Sequence, residues 1–269
     1  MNLEHYLRRI SFDGEPDTSY RTLTTIPRCQ VLATTFENLD VQLERPLTPN
    51  IAAAYSKIVE QGRGGWCYEL NGLLGWALES IGFDVMRVAA TVGRSGPRHG
   101  EDWGDHLCLI VTFEQERFLV DAGFGGSLLS PLPLRPHRRH DPPYTVELEN
   151  HGTDGWRFKE AAHGSTAHFD FLVEPADEAQ LGRTCVRLQS DPDSPFVKTL
   201  VAMKRYPDRH EILRGRVRST LTGDQKDKAA LRTRDEWMDS LAKDFHLDVP
   251  EIVDVWPSII ARDRSSSLT

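Results

Sequence analysis

The chain has 269 residues, 39% of them hydrophobic and 27% charged, with a formal net charge of -8. This composition fits a globular protein of one complex domain or two to three small ones. Its acidic balance argues against a general binder of nucleic acid or anionic membranes, and leaves room for a local basic pocket facing a phosphorylated ligand. No apolar run approaches the ~20 residues of a membrane span. The polar, amphipathic start Met1-Asn2-Leu3-Glu4-His5-Tyr6-Leu7 lacks the apolar core of a signal peptide. A cytoplasmic location is therefore expected. Cys29, Cys67, Cys108 and Cys185 are scattered, with no CxxC pair, and are expected to be reduced thiols.

The first third reads helical. Leu3, Leu7 and Ile10 fall near one helical face. Thr48-Pro49 has the form of an N-cap followed by proline at the first helical position, opening a helix over 50–61 that Gly62 ends. Another helix is predicted from Cys67 to Ile81, with Leu70, Leu73, Leu74, Ala77, Leu78 and Ile81 on its apolar face and Gly82 as C-cap.

The middle is rich in β-branched and aromatic residues. Strands are predicted over 85–92, 107–113 and 117–121, the last two joined in a hairpin around Glu114-Gln115-Glu116. The proline-rich stretch 131–143 reads as a loop, and further strands are expected over 144–149, 155–159, 168–173 and 184–188. The last third predicts strands over 196–203 and 211–222, then a helix over 234–245 opened by a Thr233/Glu236 capping box. Helices, then strands, then mixed elements make an α+β assembly, with breaks near Gly82 and Asp191.

Within this frame, Arg63-Gly64-Gly65-Trp66-Cys67 delivers one cysteine through a glycine-rich turn to a helix start. Unpaired backbone N–H groups and the positive helix end favour a negative sulfur there. His106 begins an apolar strand and Asp121 ends the next, so pairing those strands brings a carboxylate beside an imidazole. Cysteine, histidine and aspartate are the parts of a thiolate nucleophile, its base and its orienter. Taken singly, each has a plainer role: free cysteine is mostly core, and strand-end aspartates cap turns. Their joint placement favours chemistry. Gly123, Gly125 and Gly126 also suit a backbone nest for phosphate or a tight turn, but neither GxGxxG nor GxxxxGK[ST] is present. His99, His106, Cys108, His137 and His140 lack metal-ligand spacing, so no metal is expected.

Phe36-Glu37-Asn38-Leu39-Asp40, Arg63-Gly64-Gly65-Trp66-Cys67, His106 at its strand start, Val120-Asp121-Ala122-Gly123-Phe124-Gly125 and Ser194-Pro195-Phe196 occur in this order. Together they resemble the motifs of the arylamine N-acetyltransferase family, over most of the chain. The resemblance implies an N-terminal helical bundle over 1–83, a central β-barrel-like region over 84–190 and a C-terminal α/β lid over 191–269. It also implies a cysteine-protease-like triad of Cys67, His106 and Asp121. Acetyl would pass from acetyl-CoA through a Cys67 thioester to an arylamine, arylhydroxylamine or hydrazine, a reaction associated with xenobiotic metabolism. By the same resemblance Phe36 and Phe124 line the acceptor pocket and Gly125 and Gly126 lie near CoA. The alternative is an amide synthase of the same family, closing a macrolactam from a carrier-protein thioester with the same triad in a wider cleft.

Two details depart from the pattern. Gln30 and Thr35 stand where many relatives carry His and Pro. The segment Gly100-Glu101-Asp102-Trp103-Gly104-Asp105 is acidic, and beside a cofactor channel it is expected to repel CoA phosphates. An ion pair between Arg63 and Glu37 is expected to brace the cysteine turn.

Overall fold

The computed structural model describes residues 1–93, 103–126 and 128–266. His99 and the Gly100-Glu101-Asp102 part of the acidic segment lie outside them. The chain opens with α1 (Leu3–Arg9), capped by Asn2, and α2 (Tyr20–Ala33), capped by Ser19. Then come β1 (Phe36–Glu37), α3 (Leu39–Gln42), α4 (Ile51–Tyr55) running on as a π-helical turn through Glu60, and α5 (Cys67–Ile81). The prediction for α5 holds at both ends: Cys67 is its first residue, and Gly82 takes the left-handed C-cap conformation at φ 112°. The cap of α4 differs from expectation. Asn50, not Thr48, accepts the Ala53 N–H, and Thr48 Oγ1 only receives the Asn50 N–H.

Eight strands form one antiparallel sheet: β2 (Asp84–Val92), β3 (His106–Phe113), β4 (Glu116–Val120), β5 (Leu132–Pro133), β6 (His137–Asp141), β7 (Tyr144–His151), β8 (Gly155–Ala162) and β9 (Ser165–Leu172), in spatial order β5-β4-β3-β2-β9-β8-β7-β6. β3 and β4 form the expected hairpin, and Phe113 faces Glu116 across a two-residue turn with positive φ at Glu114 and Gln115. The sheet curls into a nearly closed barrel. Phe124, just after β4, meets Phe158 on β8 with ring centroids 5.9 Å apart, although β3, β2 and β9 lie between those strands. Leu119, Leu132, Val146, Leu148 and Phe169 fill the space that the curl encloses.

Helices α6 (Glu178–Ser190) and α7 (Pro195–Lys198) lead to β10 (Val201–Arg205), β11 (His210–Arg214), β12 (Val217–Leu221) and β13 (Lys226–Ala230), followed by α8 (Arg234–Phe245) and α9 (Trp256–Ser266). The sheet they form has the order β1-β10-β11-β12-β13, so its edge strand comes from the front of the chain. Trp237, Leu241 and Phe245 of α8 pack against Leu200, Ala202 and Leu213. The Thr233/Glu236 capping box is present.

Four sequence expectations fail here. Residues 131–143 contain β5 and β6 rather than a loop alone. Residues 184–188 belong to α6, because Leu181, Cys185 and Leu188 at helical spacing are the buried positions. The segment 196–203 divides into α7 and β10, and 211–222 divides into β11 and β12 at Gly215.

Candidate active site

The cysteine turn is held against β1. Gly65 donates its N–H to the Thr35 carbonyl (3.1 Å), and Glu37 donates to the Gly65 carbonyl (3.0 Å). A β-carbon on Gly64 would lie 2.2 Å from the Thr35 oxygen, so only glycine permits this approach. Thr35 is itself fixed, since its hydroxyl donates to the Phe245 carbonyl at 2.6 Å. Gln30 is buried and joined to α1 and α5, accepting from Tyr6 Oη (2.6 Å) and donating to the Leu70 carbonyl (2.9 Å). Glu69 Oε2 receives the Trp66 N–H at 3.2 Å, which closes the turn onto the start of α5.

Beneath the turn lies a buried ion cluster. Arg63 Nη2 is 3.0 Å from Glu37 Oε1, the expected pair, and 3.1 Å from Asp40 Oδ1. Lys57 Nζ is 2.7 Å from Asp40, 3.0 Å from Glu69 and 3.6 Å from Glu37. Arg45 reaches Asp40 at 3.7 Å, so three carboxylates face three cations. Burial alone would lower the Lys57 pKa, but Glu37, Glu69 and Asp40 together raise it. Burial pushes the Glu69 carboxyl up, and Lys57 only partly opposes it. From the sequence only the Arg63–Glu37 pair is expected; Asp40 stands out only as a motif residue, and Lys57 and Glu69 carry no sequence signal for the cluster.

His106 is 2% exposed at the start of β3, and Asp121 is 3% exposed just beyond β4. His106 Nε2 lies 2.5 Å from Asp121 Oδ2. Burial would drive the His106 pKa down, yet the adjacent carboxylate and a hydrogen bond to Cys67 raise it to about 10. The Cys67 Sγ is 3.9 Å from the Asp105 carbonyl, directly before His106 in the chain. Gly123 packs onto the cysteine so tightly that a β-carbon there would stand 2.7 Å from Cys67 Cα. The three residues singled out from the sequence are thus brought together.

Cys67 and His106 open onto a cavity of about 340 Å³ lined largely by aromatic and apolar side chains, with Asp121 behind His106. Phe36 and Phe124 line it as expected, and so does Gly125. Gly126 turns away, facing Arg205 and Val31. Asp105, the last residue of the acidic segment, borders the cavity. Sequence reading missed the wall built by Met203, His210, Ile212 and Arg214, where strand alternation alone sets the facing. It also missed Tyr144, whose hydroxyl lies 2.6 Å from His210 Nδ1. Phe196 was seen as a motif residue but not as a wall; its ring sits 6.4 Å from that of Phe36 and 5.5 Å from that of Trp66. Among the described residues no group of three His, Cys, Asp or Glu side chains is placed to hold a metal ion.

A family model described as N-acetyltransferase matches residues 19–253. The arylamine N-acetyltransferase of Mycolicibacterium smegmatis is 30% identical over 262 residues, covering 94% of each chain. A pineal gland arylamine N-acetyltransferase isozyme of Gallus gallus is 32% identical over 235 residues, covering 77% of this chain and 79% of its own. The arylamine N-acetyltransferase of Mycobacterium marinum, solved in complex with CoA, superposes with a TM-score of 0.86 at 28% identity, covering 96% of this chain and 98% of that one.

Proposed function

Because the chain belongs to the arylamine N-acetyltransferase family, we propose that it transfers acetyl from acetyl-CoA to an arylamine, arylhydroxylamine or hydrazine through a thioester on Cys67. The observation that carries this reading is Cys67 and His106 together at one wall of an aromatic-rich cavity, with Asp121 behind the imidazole. In the first half-reaction the Cys67 thiolate attacks the acetyl carbon. The bond from that carbon to the CoA sulfur breaks, and imidazolium His106 gives its proton to the departing sulfur. In the second, the acceptor nitrogen attacks the thioester, neutral His106 takes the N–H proton, and Cys67 leaves as thiolate. Asp121 holds the ring orientation and stabilises its charged form. The raised pKa of His106 supports a resting thiolate–imidazolium pair.

In this reading residues 1–83 supply the thiol, residues 84–190 supply His106 and Asp121, and residues 191–269 act as a lid through Pro195, Phe196 and Thr199 at the cavity. Phe36 and Phe124, with Phe196, would grip a flat aromatic acceptor, and Gly125 would lie beside the CoA arm. A cavity of about 340 Å³ suits a small amine better than a long carrier-bound chain, which the macrolactam-closing alternative requires. A cytoplasmic setting belongs to the same proposal; among the described residues no helix is long and apolar enough to cross a membrane.

The test is intact-protein mass after brief exposure to acetyl-CoA without acceptor. One added acetyl group is expected on the native protein and none on Cys67→Ser. An unmodified native protein whose Cys67 still alkylates quickly would point to another acyl donor.

A further inference from the structure

Asn71 sits four residues after Cys67 on α5, one turn along the same face, and is fully buried. Its amide makes three hydrogen bonds, each to a different part of the site. Nδ2 donates to Asp121 Oδ1 at 2.9 Å and to the Leu107 carbonyl at 2.5 Å. Oδ1 accepts the Ala122 N–H at 2.8 Å. Leu107 follows His106 and Ala122 follows Asp121, so one side chain on the cysteine's helix clamps the backbone beside both partners. Gly123 leaves room for it: a β-carbon there would come 2.7 Å from Asn71 Nδ2.

The carboxylate is then fully committed. Its Oδ2 faces His106 Nε2, while Oδ1 receives Asn71 and the Gly123 N–H at 2.6 Å. Rotation of the carboxylate away from the ring would break both Oδ1 contacts. An amide suits this place better than a carboxylate or a hydroxyl, because only it offers two donors and an acceptor without adding charge. The titratable groups around it are Cys67 on its own helix, His106 and Cys108 on β3, and Asp121 after β4.

We propose that Asn71 is a positioning residue, which sets the register of Asp121 and His106 against Cys67 by tying β3 and the post-β4 turn to the cysteine's helix. The role rests on the triad reading above, but its test does not need turnover. Alkylation of Cys67 by iodoacetamide, followed against pH without donor or acceptor, reports how well the imidazolium is held beside the sulfur.

In Asn71→Ala the pH of half-maximal alkylation should move up, because the carboxylate no longer holds its place against the ring. Turnover should fall on the order of 100-fold through kcat, with acceptor KM within about threefold, the size expected when reacting groups drift by about 1 Å. Asn71→Asp keeps the shape and an acceptor for the Ala122 N–H while removing both donors, and serves if the alanine variant does not fold. It too should shift the alkylation profile upward. A folded variant of either kind whose profile superimposes on that of the native protein would overturn the proposal and leave Asn71 as a core residue. A shifted profile in a protein that never forms an acetyl adduct would sustain the positioning role and remove the acetyl-transfer reading.

Discussion

At the thiol end of the cavity Lys57 is buried against Asp40, Glu69 and Glu37, and Arg63 against Glu37 and Asp40. At the Tyr144 end Arg205 is just as buried, at 2% exposed, yet among the described residues it forms no ion pair. One nitrogen donates to the Pro142 carbonyl, the guanidinium lies 5.7 Å from the centre of the Tyr144 ring, and Nε and Nη1 have no hydrogen-bond partner. Neighbouring His210 is 1% exposed, its Nε2 also unpartnered, and burial with Arg205 nearby pushes its pKa down to about 3. The two ends therefore treat polar groups differently. Around the nucleophile the buried charges face opposite charges and Asp121 and Asn71 are hydrogen-bonded within the protein, although Arg63 Nε and Trp66 Nε1 lack partners. Such pairing helps fix atoms to the accuracy that bond-making needs. At the far end the Arg205 charge has no opposite charge paired with it, and Arg205 Nε and Nη1 and His210 Nε2 stay buried without partners, His210 lining the cavity and Arg205 lying behind it.

The largest way to break this contrast lies at the committed end. Asp121→Asn should lower acetyl turnover by on the order of 10³–10⁴, since the imidazole loses its orienting charge. Steady-state rates against the native protein measure this, and a twofold loss would reduce Asp121 to a turn residue. Next in size is a pair of buried cations. Lys57→Met leaves the buried Glu69 without a cation and weakens the pairing of Asp40 and Glu37, and should cost about 3–5 kcal/mol of unfolding free energy, whereas Arg205→Met should stay within about 1 kcal/mol of the native protein or stabilise it. Urea unfolding of the two variants side by side decides, and equal losses would dissolve the distinction.

The smallest effect is a matter of pH. His106 binds its proton more tightly in the folded state, up to about 10, so its stabilisation is complete below its ordinary value near 6.5 and is lost as pH rises to 10. Lys204 behaves oppositely. Nearly inaccessible and donating to the Leu32 and Thr34 carbonyls, it is pushed by burial and by Arg9 down to about 7 from 10.5. Between those values the unfolded chain holds more protons than the folded one, so this residue makes stability rise with pH. Lys204→Met should steepen the decline in melting temperature between pH 7 and 10, and Asp121→Asn should flatten it. Parallel melting curves for the native protein and Lys204→Met would show that Lys204 keeps its charge.

What the sequence made legible was local. The α5 helix could be read because Cys67, Gly82 and the apolar face between them agree on one answer. His106 and Asp121 could be read because a hairpin places neighbours in the chain side by side. Where local signals conflict with packing, the reading failed. Thr184-Cys185-Val186-Arg187-Leu188 alternates like a strand although its helical face is the one buried. Asn71 carried a usable sign, a lone amide one turn from the cysteine on an apolar face. The Tyr144–His210 contact had none, since it joins residues 66 positions apart through two different sheets.

The pairing of β1 with β10 sets a timetable for biosynthesis. Glu37 faces Ala202, Asn38 receives the Val201 N–H, and Lys204 closes the C-terminal end of α2. The turn that presents Cys67 leans on β1 and is backed by these contacts. At about 5–20 residues per second, some 8–33 s separate synthesis of Glu37 from that of its strand partner Ala202. Until β10 has emerged from the ribosome, the nucleophile's scaffold lacks its outer support. A nascent chain halted before residue 201 would carry the thiol without the frame that aims it, so reactivity waits on residues made long after the cysteine.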